Sequence, residues 1–134
     1  MKTYVDTSAF IAFRDASDSY HPLFARLFSD PPHLITSPLV IAEGQAWFLK
    51  RYDVNRSLQF LDFVQLLKNL RILSIGTPDI NKAAVYIRKF SDQELTMADA
   101  MGLYLMDHFK IKTCWSTDRH LALTGVPLVI HQID

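Results

Sequence analysis

Short apolar runs alternate with stretches of helical periodicity along this chain, and that alternation limits the fold more than any other feature. The runs fall at residues 2–5, 33–36, 71–75, 112–115 and 128–130. Short apolar strands separated by helices belong to an α/β protein, with a parallel sheet covered on both faces. Local punctuation marks the helices between them. Thr7 or Ser8 can cap a helix carrying Phe10, Ile11 and Phe13, and Asp30-Pro31-Pro32 closes a second one over residues 20–28. Ser37 before Pro38 is a cap followed by a first-turn proline, which predicts a helix to residue 51. Residues 55–70 read as a helix that is apolar on more than one face, through Leu58, Phe60, Leu61, Phe63, Val64, Leu66 and Leu67. Thr77-Pro78 opens another helix to residue 90, Thr96 opens one to residue 109, and a short helix to Leu123 precedes the last run. Gly44 is unusual inside a helix and is expected to loosen it locally.

Length and charge narrow the possibilities. A chain of 134 residues suits one domain, taken here as residues 1–134. With 14 basic and 14 acidic side chains the formal net charge is zero, which excludes a protein that grips nucleic acid by bulk electrostatics. It leaves room for an enzyme that touches a few phosphates. The single cysteine, Cys114, excludes an internal disulfide framework. The opening Met-Lys-Thr-Tyr-Val has no apolar stretch suited to export, and no run of about 18 apolar residues offers a membrane span. A cytoplasmic protein is expected.

Four acids stand in telling places. Asp6 directly follows the first strand and Asp118 follows the fourth, and sites in open parallel sheets form outside the carboxyl ends of strands. Glu43 has Leu39, Val40, Ala46 and Trp47 at helical spacing, so it is expected to interrupt an apolar stripe. Asp99 has Leu95, Leu103 and Met106 at matching spacing and falls on another inward stripe. Carboxylates about 5 Å apart repel by roughly 3 kcal/mol per pair at an effective dielectric near 20. A shared cation relieves that repulsion, and all-oxygen ligation favours Mg²⁺ or Mn²⁺ over zinc. Structural roles compete at three of the positions. Asp6 and Asp118 can each cap the helix that follows, and Thr96-x-x-Asp99 matches a capping box. His21, His33, His108, His120 and His131 lack ligand spacing, and Trp47 reads as packing.

These segments together resemble the PIN-domain family, and within it the VapC-type toxins of prokaryotic toxin–antitoxin pairs. The resemblance rests on Val5-Asp6-Thr7-Ser8-Ala9-Phe10, Val40-Ile41-Ala42-Glu43, Leu95-Thr96-Met97-Ala98-Asp99-Ala100 and Ser116-Thr117-Asp118-Arg119-His120. It implies a three-layer α/β/α fold around a central parallel sheet of four or five strands. It also implies Mg²⁺-dependent endoribonuclease activity, with Mn²⁺ as a possible substitute. Asp6, Glu43 and Asp99 match the principal acids, Asp118 a fourth, and Thr7 or Ser8 a hydroxyl near the metal. Asp6 and Asp99 are expected as direct ligands, with Glu43 and Asp118 binding through water or orienting the nucleophile. Arg119 could touch a substrate phosphate. A homodimer and a small cognate antitoxin are the implied partners, beside an RNA substrate. Ser116 and Leu121 stand where the family pattern usually has threonine and phenylalanine.

Other functions remain in view. A haloacid-dehalogenase-like phosphotransferase needs a second Asp two residues after the first, and Ser8 is there. A receiver domain needs an acidic pair that is not visible. A PIN-fold module that binds RNA or protein without catalysis is the alternative reading.

Overall fold

The computed structural model describes residues 2–132 and arranges the apolar runs as a four-stranded parallel sheet. Strands β1 (Lys2–Val5), β2 (His33–Thr36), β3 (Leu70–Ile72) and β4 (Thr113–Trp115) lie in the order β3-β2-β1-β4. Tyr4 aligns with Ile35 on one side and with Cys114 on the other. The chain therefore builds outward from β1 to β3, then returns to the free edge of β1 for β4. Such a reversal opens a crevice between β1 and β4 at their carboxyl ends.

Helices α1 (Thr7–Arg14), α2 (His21–Ser29), α3 (Pro38–Arg51), α4 (Val54–Leu66), α5 (Thr77–Lys89) and α6 (Met97–His108) flank the sheet. They pack as the pairs α1 with α2, α3 with α4, and α5 with α6. Their starts follow from local chemistry. The Ser37 hydroxyl accepts from the Val40 amide at 3.4 Å, and the Asp53 carboxylate accepts from the Arg56 amide at 2.8 Å. Burial of apolar side chains then holds the layers together. Phe13, Phe28, Phe63 and Trp115 form an aromatic cluster, with Phe13 stacked on Phe28 at 4.7 Å and Phe28 edge-on to Trp115 at 4.9 Å. All of residues 98–106 are buried, so α6 is an internal helix.

Two glycines permit close approach. A Cβ at Gly44 of α3 would lie 2.5 Å from the Phe60 ring of α4, and one at Gly102 of α6 would lie 2.8 Å from Leu121 and 3.0 Å from Tyr4. Gly44 is thus a packing site for Phe60, not the loosened point expected from propensity.

Several expectations shift. Neither Thr7 nor Ser8 caps α1: the cap position is Asp6, whose side chain makes no capping bond. α4 stops at Leu66 and β3 starts at Leu70, ahead of the expected 71–75. The cause is Asn69, which takes φ 66° and turns the chain, while its carbonyl accepts from the Leu34 amide at 2.8 Å. Residues 128–130 do not form a strand. Leu128 makes one parallel bridge to Cys114, and Val129–His131 then coil into a 3-10 turn. Pro127 precedes the bridge and has no N–H to give to a ladder. α4 buries Phe60 and Val64, yet leaves Leu58 51% and Leu66 80% exposed. It is therefore not sandwiched within the chain. Among the described residues, no helix is long and apolar enough to cross a membrane.

Candidate metal centre

The crevice at the carboxyl ends of β1 and β4 has a volume of about 360 Å³, and Asp6, Glu43, Asp99 and Asp118 all line it. Thr7, Ser8 and Thr96 add hydroxyls, while Ile11 and Trp47 form an apolar wall. Among the described residues, no lysine or arginine lines the cleft.

Asp6 is fixed by the sheet itself. Its amide donates to the Trp115 carbonyl at 3.0 Å, which extends the β1–β4 ladder by one residue. Its side chain turns inward, where Oδ2 accepts from Ser8 Oγ at 2.9 Å and from Ser116 Oγ at 3.0 Å. Ser8 Oγ also accepts from the Thr117 amide at 2.9 Å, and Ser116 Oγ accepts from the Asp118 amide at 2.9 Å. These two hydroxyls tie the end of β1 to the end of β4. Burial pushes the Asp6 carboxyl up from 3.8 to about 6; the Ser8 hydroxyl pulls against this, and the negative charge of Asp99 adds to it.

Asp99 performs the capping role and faces the cleft at the same time. Its Oδ2 accepts from the Thr96 amide at 3.2 Å, and its own amide donates to Thr96 Oγ1 at 3.1 Å. Burial raises its pKa; the Thr96 amide opposes the rise, and the charge of Asp118 reinforces it. Asp118 likewise caps the 3-10 turn Arg119–Ala122, accepting from the His120 amide at 2.9 Å.

That turn brings in His120, which the sequence reading set aside as lacking ligand spacing. His120 Nδ1 lies 3.3 Å from Asp118 Oδ1 and 3.8 Å from Asp99 Oδ2. Ligand atoms of Asp99, Asp118 and His120 all fall within 4.8 Å of one another. Asp6 and Glu43 line the same cleft but stand outside this tight set. The expected convergence of four acids is therefore looser than foreseen, and Asp118 is more central. A usable signal was the Asp-x-His step directly after a strand. In a tight turn, that spacing can swing both side chains to one side.

Glu43 is exposed, not set into an apolar stripe. Of the neighbours at helical spacing, Val40 is fully buried and Leu39, Ala46 and Trp47 are half-buried, so Glu43 lies at the edge of that stripe, where α3 fronts the open cleft. The cost of burying a charge falls on Asp6 and Asp99, which are 3% and 7% exposed. Arg119 is exposed and does not line the cleft. Trp47, expected to pack, forms part of the cleft wall one helical turn from Glu43.

The donors suit a hard divalent cation. Carboxylate oxygens dominate, as such ions prefer. Thr7 Oγ1 is buried and has no hydrogen-bond partner among the described residues, although it lines the cleft. A buried hydroxyl without a partner costs on the order of 1–3 kcal/mol, which a bound ion or its water would recover.

Comparison with known proteins identifies the fold and the family. Ribonuclease VapC26 of Mycobacterium tuberculosis is 30% identical over 117 residues, covering 86% of this chain and 85% of that protein. The crystal structure of Mycobacterium tuberculosis VapC20, a Sarcin-Ricin loop cleaving toxin, shares the fold with a TM-score of 0.84. That likeness covers 93% of this chain and 96% of VapC20 at 21% identity. Residues 3–126 match the PIN domain model, and this chain belongs to the PIN-domain family.

Proposed function

We propose that this chain is a metal-dependent endoribonuclease of the VapC type, the toxin half of a toxin–antitoxin pair, acting in the cytoplasm as a single PIN domain. One observation carries the reading. A cleft at the sheet's switch point is walled by four carboxylates and, among the described residues, is lined by no lysine or arginine. An RNA phosphate can enter such a cleft only with a cation between it and the acids. The similarity to a ribonuclease over most of the chain supports the same reaction.

A bound divalent ion, Mg²⁺ or Mn²⁺, supplies Lewis acidity that activates water and offsets charge on the phosphate. Asp99 and Asp118 would hold it, with Asp6 behind them. Ser8 and Ser116 keep the Asp6 carboxylate oriented through their 2.9 and 3.0 Å bonds. Glu43, exposed at the cleft mouth, orients the attacking water and takes its proton. The Thr7 hydroxyl donates to the incoming phosphate. Trp47 and Ile11 offer an apolar wall for a nucleobase, and Arg119 lies outside it to meet a flanking phosphate. A small antitoxin that blocks the enzyme would present a basic group to this acidic cleft. The exposed Leu58 and Leu66 of α4 offer a face for a second copy.

The test is the double variant Asp6→Ala, Asp99→Ala. It should lose metal-dependent RNA cleavage by a factor of at least about 100 while keeping its circular dichroism spectrum. Cleavage at the wild-type rate would end the assignment. Mn²⁺ and RNA binding by the wild type without turnover would favour the binding module instead.

A further inference from the structure

We infer that His120 is a direct ligand of the catalytic cation through Nδ1, and that the centre consequently selects Mn²⁺ over Mg²⁺. The inference rests on the metal-dependent reading above and deepens it.

The geometry comes first. Donors about 2.1 Å from an octahedral ion are about 3.0 Å apart when adjacent and about 4.2 Å apart when opposite. The Nδ1 separations of 3.3 Å from Asp118 and 3.8 Å from Asp99 lie between those limits. Closing the Asp118 separation by about 0.3 Å and the Asp99 separation by about 0.8 Å would set both carboxylates adjacent to Nδ1 on one ion. Asp6 and Glu43 do not meet this condition.

The fold also presets the ring. The His120 amide donates to Asp118 Oδ1, the same oxygen that its Nδ1 approaches. The turn is anchored by Leu121, which is fully buried against Gly102. Backbone and side chain of one residue thus converge on one carboxylate. Among the described residues, Nδ1 approaches no other acid. Beside this trio, the buried Thr7 Oγ1 has no hydrogen-bond partner among the described residues, and Thr7 lines the same cleft.

Chemistry gives the selectivity. Mg²⁺ prefers oxygen donors and keeps most of its water. Imidazole nitrogen adds affinity for the transition ions, in the order that places Mn²⁺ lowest among them. A site with two carboxylates and one imidazole therefore gains more for Mn²⁺ than for Mg²⁺.

The experiment uses the full chain, freed of metal by chelation and titrated with MnCl₂ and separately with MgCl₂. Pulsed electron paramagnetic resonance of the Mn²⁺ form reads nitrogen at the ion directly. The wild type should show a directly coupled ¹⁴N, and His120→Ala should lose it. The same variant should bind Mn²⁺ about 10-fold or more weakly and Mg²⁺ nearly unchanged. His120→Gln covers the case in which the alanine variant fails to fold, and it too should lose the nitrogen signal. Wild-type Mn²⁺ bound without ¹⁴N coupling, yet weakened by Asp99→Asn, would overturn the ligand assignment and leave the nuclease reading standing. No Mn²⁺ binding sensitive to Asp99→Asn would overturn both.

Discussion

Asp6 and Thr7 show how the cleft is held at a cost in free energy. The Asp6 carboxyl titrates near 6 in the folded chain and near 3.8 when unfolded. A raised folded pKa means that the protonated form favours folding. Its contribution is complete below about pH 4 and is lost as pH rises through about 6, a difference of roughly 3 kcal/mol. Metal-free Asp6→Asn should lack this component. Thermal melts of the two metal-free proteins between about pH 4 and 8 should diverge, with the asparagine variant gaining relative stability as pH rises. Parallel profiles would rule out the shift. Metal binding competes with the Asp6 proton, so the stabilisation given by Mn²⁺ should grow over the same interval. Thr7→Val removes the unpartnered hydroxyl at nearly constant volume. It should raise metal-free stability by about 1 kcal/mol, read by urea unfolding, and should weaken cation binding. A loss of stability would mean that the hydroxyl has a partner inside the fold.

Elements bring these side chains together, and two close helix contacts make that possible. α3 carries Glu43 and Trp47, and its neighbour Gly44 accepts the Phe60 ring of α4. Gly44→Ala should gain up to about 1 kcal/mol of helix propensity and lose about 1–3 kcal/mol by overpacking. A net loss of stability in urea unfolding is the expected result, and a more stable variant would contradict the close approach. At α6, Gly102 lets Tyr4 and Leu121 press against the helix that carries Asp99. The reciprocal bonds of Thr96 and Asp99 then fix where that helix begins. A capping acid and a cleft-facing acid are one residue here, since Oδ2 serves the cap while the side chain fronts the cleft.

At the scale of the whole molecule, the strand order β3-β2-β1-β4 decides the site. It sets Asp6 and Asp118, 112 residues apart in number, at neighbouring strand ends. It also leaves an apolar face on α4, with Leu66 80% exposed. That face should associate, so sedimentation should find a dimer at high concentration, and Leu66→Lys should shift it toward monomer. A wild type that stays monomeric throughout would remove the second-copy reading.

Local signals in the sequence were enough to determine β1, β2, α3 and the α6 cap, because Ser37-Pro38 and Thr96-x-x-Asp99 act through bonds to their own neighbours. The strand ends pointed to Asp6 and Asp118, and the family resemblance completed the set of four acids that line the cleft. Only the tertiary structure could place Glu43 in the open and bring His120 against Asp99 and Asp118. It alone turned Gly44 from a weak point into a contact with Phe60. Each of these depends on what arrives from a distant part of the chain. Periodicity reports which face of a helix is apolar, but what that face meets is set by the packing of the other layers.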